Sequence, residues 1–333
     1  MRIAVIGAGS WGTTLANLLA EKGFRIDLWV REEEVLKQIK EERENKVFLP
    51  EIKLSERINP VSSFEEALYR KDLLVIAVPS HVLRDVLLKL KPYLSEGIPL
   101  VFATKGIENK TLMLSSQIME DVLELDPKKY FACIAGPSFA KEVARRCPTA
   151  VTVACNDVSL GKELQKIFYT EYFRVYLIKD IIGAQLGGAL KNVIAIAAGV
   201  SDGLEFGSNA RAALITRGLA EIIRLGEAMG ADPRTFSGLA GVGDLVLTCT
   251  GDLSRNRTVG LKIGKGMRLE QIVKGMKMVA EGIRTTRSAY ELSKRMNVEM
   301  PITEQVYRIL YEGKDPKEAV RELMTRRLKM EIE

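Results

Sequence analysis

Residues 2–12 read Arg2-Ile-Ala-Val-Ile-Gly-Ala-Gly-Ser-Trp-Gly12, and this stretch restricts the fold more than any other. Ile3, Ala4, Val5 and Ile6 form an apolar run of strand length. It ends in Gly7, Gly9 and Gly12 and passes at once into a helical pattern, with Leu15, Leu18 and Leu19 on one face. Each glycine has a physical reading. Gly7 permits a tight turn, Gly9 lets the backbone approach a pyrophosphate, and Gly12 lets the helix pack close to its strand. The unpaired N–H groups and partial positive charge of the helix N-terminus then face the anion. Because the glycines lie between a strand and a helix, they point to dinucleotide binding on a parallel α/β sheet.

The rest of the first half repeats the alternation. Arg25–Val30 reads as a second strand, and its end is where an acidic residue usually takes the ribose 2′-hydroxyl. Arg31 stands there instead, ahead of Glu32, Glu33 and Glu34. A cation at that point accepts a 2′-phosphate, so NADPH is favoured while NADH remains acceptable. Apolar runs at residues 72–78, 100–103, 130–135, 149–154 and 174–178 predict further strands. Helical patterns at 81–90, 111–123 and 161–168 lie between them. The class is therefore α/β, with a doubly wound, mostly parallel Rossmann sheet. Pro79-Ser80, Lys105-Gly106 and Gly136–Ser138 all follow strands and gather at the carboxyl edge, where such sheets bind ligands. This makes Lys105 a candidate anion contact. Ser138 is expected to cap the helix that carries Lys141 and Glu142.

From Ile181 onward the period changes to helical. The reading places a dinucleotide-binding domain at 1–183 and an all-helical substrate-binding, catalytic domain at 184–333. Lys191 lies within an apolar helix, where a cation is costly unless partnered or tuned, and desolvation lowers its proton affinity. It is a candidate acid/base. A second glycine-rich loop, Gly238–Asp244, precedes Ser254-Arg-Asn-Arg257. That segment puts a hydroxyl, two guanidinium forks and an amide at a helix start, a set suited to a phosphate.

Composition removes other classes. The 49 Lys and Arg exceed the 43 Asp and Glu by only six and are scattered among them, and aromatics are 6%. That disfavours a nucleic-acid platform and fits a small anionic ligand. Cys133, Cys147, Cys155 and Cys249 form no C-x-x-C pair, and His81 is the only histidine. Neither a metal centre nor a disulfide framework is expected, and reduced, mostly buried thiols fit a cytoplasmic protein. No signal peptide is expected ahead of the first strand, and the apolar run Val193–Val200 is too short to span a bilayer.

These segments together resemble the bacterial-type NAD(P)-dependent glycerol-3-phosphate dehydrogenase family. The resemblance rests on Gly7-Ala-Gly-Ser-Trp-Gly-Thr13, Val78-Pro-Ser-His81, Thr104-Lys-Gly106 and Ala135-Gly-Pro-Ser-Phe139. It continues through Gly188–Gly199, Asn209–Gly218, Gly241-Val-Gly-Asp-Leu245, Ser254-Arg-Asn-Arg257 and Val279-Ala-Glu-Gly282. It implies reversible, mainly reductive interconversion of dihydroxyacetone phosphate and sn-glycerol 3-phosphate, supplying phospholipid synthesis. By resemblance Lys191 is the proton donor and acceptor, with Asp244 beside it. Ser10, Trp11, Arg31, Lys105, Ala140, Arg255, Val279 and Glu281 match cofactor contacts, alongside Gly7, Gly9 and Gly12. Lys105, Gly136, Ser138, Lys191, Asp244, Ser254, Arg255 and Asn256 match substrate contacts. The small-molecule substrate is the expected partner, and a homodimer is left open. A dehydrogenase of the 6-phosphogluconate or hydroxyisobutyrate type would share the two-domain plan and an active lysine, but Lys105 and Ser254–Arg257 count against it.

Overall fold

The computed structural model describes residues 1–276, 278, 280–328, 330 and 331; Val279, one of the expected cofactor contacts, lies outside them. Its strands are β1 (Arg2–Ile6), β2 (Arg25–Trp29), β3 (Ile58–Val61), β4 (Leu73–Ile76), β5 (Leu100–Phe102), β6 (Phe131–Ala135), β7 (Thr149–Cys155) and β8 (Phe173–Ile178). They form one sheet in the order β3-β2-β1-β4-β5-β6-β7-β8. Every neighbouring pair is parallel except β6 with β7. All residues of β4, β5 and β6 are buried, which explains why their sequences are continuous apolar runs without alternation. β1 lies between β2 and β4, so the glycine-rich turn opens near the middle of the carboxyl edge.

Three local expectations are corrected. β3 was not anticipated, because Pro60 breaks its pattern. As the outer strand it pairs only with β2, and a residue with no N–H is tolerated on an edge. The helix expected from residue 111 starts at Ser115. Leu112 takes φ +62° and Ile107 bridges to Leu114, so 107–114 is a turn. Ser138 caps nothing: Phe139 is the N-cap of the Ala140–Ala144 helix, and Ser138 Oγ donates to Gly136 O at 2.9 Å.

The sheet's last strand ends at Ile178, and Asp180 begins the helical half. Its carboxylate caps the helix Ile181–Gly203 by accepting from Gly183 N at 2.8 Å, and also accepts from Asp232 N and Thr235 Oγ1. This 23-residue helix is long and apolar enough to cross a membrane by length and composition, a span that the shorter run Val193–Val200 had hidden. In the fold it is the core helix, and 89% of its most apolar window is buried inside the protein. The helices Gly207–Ala228, Asp244–Thr250, Arg255–Gly264, Glu281–Arg295 and Pro301–Tyr311 all pack on it. Contact with Arg255–Gly264 is backbone to backbone. A Cβ on Gly199 would lie 2.0 Å from Arg257 O, and one on Gly260 2.0 Å from Ile196 O. Small residues here fix how closely the two helices approach.

Candidate active site

The first turn of the sheet separates the roles of its glycines. Gly7 has φ +112°, and a Cβ there would lie 2.7 Å from Ala77 O; a Cβ on Gly12 would lie 1.9 Å from Gly7 O. The protein's own packing therefore requires both. A Cβ on Gly9 meets nothing within 4 Å among the described residues, so the space beside it is open to them. Gly9 is also the N-cap of the helix Ser10–Glu21, and no side chain caps that end. Open space before uncapped amides fits a dinucleotide pyrophosphate. Trp11 turns its ring toward Phe173 and the core. Ala140 opens a short helix next door, its carbonyl accepting from Thr14 Oγ1 at 3.2 Å. Arg31 follows the end of β2 with its guanidinium largely exposed, its Nε donating to Glu32 Oε1 at 2.9 Å.

A charged cluster joins the sheet's carboxyl edge to the helices. Lys191 comes from the core helix. Asp244 is the first residue of the helix Asp244–Thr250, and Lys105 follows β5. Lys191 Nζ is 2.5 Å from Asp244 Oδ1, and Lys105 Nζ is 3.1 Å from Asp244 Oδ2. Asp244 is fully buried and Lys191 is 6% exposed. Burial drives Lys191 down to about 7; the Asp244 charge opposes that fall, and Lys105 adds to it. The glycine-rich stretch before Asp244 is not the loop the sequence suggested but a π-helical turn, Leu239–Gly243. It lies directly on the core helix, since a Cβ on Gly187 would be 2.1 Å from Ala240 O. Such wide turns recur at functional sites, and this one aims the carboxylate at the lysine. Gly136, with φ +125° after β6, borders the same turn: a Cβ there would be 3.6 Å from Leu239 Cβ.

The third part is the start of the helix Arg255–Gly264. Ser254 caps it, accepting from Arg257 N at 3.2 Å. Asn256 Nδ2 donates to Asn192 Oδ1 at 2.8 Å, and its Oδ1 accepts from Gly282 N at 2.9 Å. The carboxamide thus joins three helices while bordering the cleft. Arg255 reaches across to the glycine turn, its Nη2 3.2 Å from Ser10 Oγ. Glu281, on the same side, accepts from Ser80 Oγ at 2.7 Å, and burial pushes its carboxyl up. The two guanidinium forks read from sequence part company here, because Arg257 is held by Asp202 and Asp252. Ser80 has no role in the sequence reading, where only the motif Val78-Pro-Ser-His81 hints at it. Asn192, next to Lys191, reads as a residue that either orients substrate or satisfies a helix backbone; its Nδ2 donates to Gly188 O at 3.3 Å.

Several of the expected residues therefore meet where the sheet's carboxyl edge faces the helices: Lys105 and Lys191 on Asp244, Arg255 on Ser10, and Glu281 on Ser80. A family model described as the N-terminus of NAD-dependent glycerol-3-phosphate dehydrogenase matches residues 2–161, and its C-terminal counterpart matches residues 180–321. The chain belongs to this family. Its curated relatives include the glycerol-3-phosphate dehydrogenase [NAD(P)+] of Syntrophobacter fumaroxidans, 55% identical over 99% of this chain and 97% of that protein. The Geobacter sulfurreducens glycerol-3-phosphate dehydrogenase is 56% identical over 99% of this chain and 98% of its own. Among solved structures, glycerol-3-phosphate dehydrogenase from Coxiella burnetii superposes with a TM-score of 0.94 at 41% identity, covering 98% of this chain and 99% of that one. A ketopantoate reductase from Ralstonia eutropha, at 15% identity and a TM-score of 0.60, shares the fold alone. As a glycerol-3-phosphate dehydrogenase family member, the chain is an NAD(P)-dependent oxidoreductase.

Proposed function

We propose that this chain reduces dihydroxyacetone phosphate to sn-glycerol 3-phosphate, reversibly and with NADPH preferred over NADH. The buried Lys191–Asp244 pair carries the reading, because it puts a lysine tuned to neutral pH at the base of the cleft. The dinucleotide-binding domain, 1–183, supplies most of the cofactor contacts, and the helical domain, 184–333, supplies Lys191, Asp244 and the Ser254–Asn256 turn for the substrate. The Gly7–Gly12 turn, Arg31, Ala140 and Glu281 would hold the cofactor, with Arg31 facing the 2′-phosphate. When bound, the reduced dinucleotide supplies the hydride that adds to the C2 carbonyl carbon. Lys191, protonated, stabilises the oxygen as it gains charge and gives it a proton. Asp244 keeps the ammonium in place, and Lys105 adds a second cation beside the same carboxylate. Arg255 and the first turn of its helix receive the phosphate dianion. Binding energy at that remote group orients the carbonyl against Lys191. Four free thiols, three of them buried, support a reducing, cytoplasmic setting.

Loss of reduced-nicotinamide absorbance, followed with dihydroxyacetone phosphate and with a panel of keto acids, tests the reading. Turnover of the phosphate ketone is expected. Turnover of a keto acid alone would overturn it.

A further inference from the structure

We infer that Asp202 is a positioning residue for the phosphate-binding turn and acts through Arg257. The inference rests on Ser254–Asn256 being the phosphate seat. Asp202 lies in the last turn of the core helix Ile181–Gly203, well away from Lys191. Its Oδ2 accepts from Arg257 Nε at 2.8 Å, and Arg211 Nη1 lies 3.1 Å from Oδ1 and 3.2 Å from Oδ2. Arg257 Nη1 goes on to Asp252 Oδ1 at 2.9 Å. The Asp202 side chain is 11% exposed and that of Arg257 16%, so the pair is screened far less than a surface ion pair. Arg211 belongs to the Asn209–Gly218 segment, to which the reaction itself assigns no task.

The geometry says what this network does. The helix Arg255–Gly264 is tied to the core helix at Asn192–Asn256, close to Lys191, and at Asp202–Arg257. Both ties leave from adjacent residues in the first turn, and just beyond them the backbones touch, Gly199 against Arg257 O and Gly260 against Ile196 O. The first turn of that helix is thus held at two separate points of the core helix, and with it the place of Arg255 relative to Lys191. A carboxylate at a helix C-terminus opposes the helix dipole, and here two guanidinium groups, Arg257 and Arg211, face it. The same bonds keep Arg257 turned from the cleft, which leaves Arg255 as the guanidinium directed at the phosphate.

Steady-state kinetics with dihydroxyacetone phosphate and saturating NADPH test this. Asp202→Asn keeps the shape of the side chain and removes its charge. It is expected to raise KM by about tenfold or more, as small misplacements of a binding group do, with kcat within about twofold. A general loosening of the fold would lower kcat through loss of active enzyme and leave KM in place. Should Asp202→Asn fail to fold, Arg211→Gln removes only the outer half of the network and is expected to raise KM in the same sense by a few-fold. Unchanged KM in the folded variant, or a fall in kcat alone, would overturn the inference. Arg255→Ala separates this failure from failure of the underlying reading. If Arg255→Ala leaves KM unchanged, the phosphate seat is wrong. If Arg255→Ala raises KM and the folded Asp202 or Arg211 variant does not, only the positioning role is wrong.

Discussion

Lys191 Nζ and Asp244 Oδ1, 53 positions apart in the chain, meet at 2.5 Å inside the cleft. Two opposed effects act on the lysine. Burial disfavours its ammonium and the Asp244 charge favours it; burial wins, and Lys191 sits at about 7. Ketone reduction needs the protonated form, so its rate is highest below this value and declines as pH rises through it. Asp244→Asn takes away the group that holds the pKa up. The step should then move to lower pH, and the rate at neutral pH should fall. A pH–rate profile of both proteins measures this; a step that moves upward in the variant would contradict the assignment.

Lys191→Ala removes the proton donor and leaves the glycine turn untouched. Loss of a general acid costs about 10²- to 10⁴-fold in turnover. NADPH binding, read by nucleotide fluorescence, should survive. Near-normal turnover would take the acid/base role from this residue.

The parallel sheet was legible because β4, β5 and β6 are buried on both faces, and burial writes itself as unbroken apolar runs. Lys191 was legible because a cation among Leu190, Val193 and Ile194 demands an explanation. Pairings between distant positions were not. Nothing in local spacing tells that Asn256 meets Asn192, that Glu281 meets Ser80, or that Arg257 turns away to Asp202. Those contacts depend on how the helices stack, and stacking is set by glycines such as Gly199 whose partners lie far along the chain. The π-helical turn before Asp244 escaped for a related reason. Three glycines in six residues read as a loop until the core helix is there to pack on them.

Arg31 tests cofactor choice. Its guanidinium stands at the end of β2, largely exposed and paired with the neighbouring Glu32. A charge-assisted bond to a 2′-phosphate is available with NADPH and has no counterpart with NADH. Arg31→Ala should raise KM for NADPH by about tenfold and change that for NADH little, a difference of roughly 1.4 kcal/mol. Equal losses for both would show that Arg31 does not read the phosphate.

Gly199→Ala tests the helix contact that supports the phosphate turn. The added Cβ would fall 2.0 Å from Arg257 O and 2.8 Å from Leu261 N, both backbone atoms that no rotamer change can move. The two helices must separate. Overpacking of this kind costs about 1–3 kcal/mol or more, and the shift carries Arg255 with it. A lower midpoint in denaturant together with a raised KM for dihydroxyacetone phosphate is expected. A normal midpoint would mean that the contact is not as close as described.

Glu221, on the helix Gly207–Ala228, is 1% exposed and lies far from the chemistry. Its carboxylate accepts from Ile302 N at 2.5 Å and from Thr303 N and Oγ1 at 3.1 and 2.9 Å, capping the helix Pro301–Tyr311 from outside. Burial raises it from 4.5 to about 7, against the pull of those three donors and of Arg224. Between these two values the folded state binds more protons than the unfolded one, so this group's contribution to stability falls as pH rises across that window. Glu221→Gln cannot ionise. Its stability relative to wild type should therefore improve from pH 4.5 to pH 7, by an amount on the order of 2–3 kcal/mol. Denaturant unfolding of both proteins across this range measures the difference, and a difference that shrinks or stays constant with rising pH would mean that Glu221 is not held protonated by its burial.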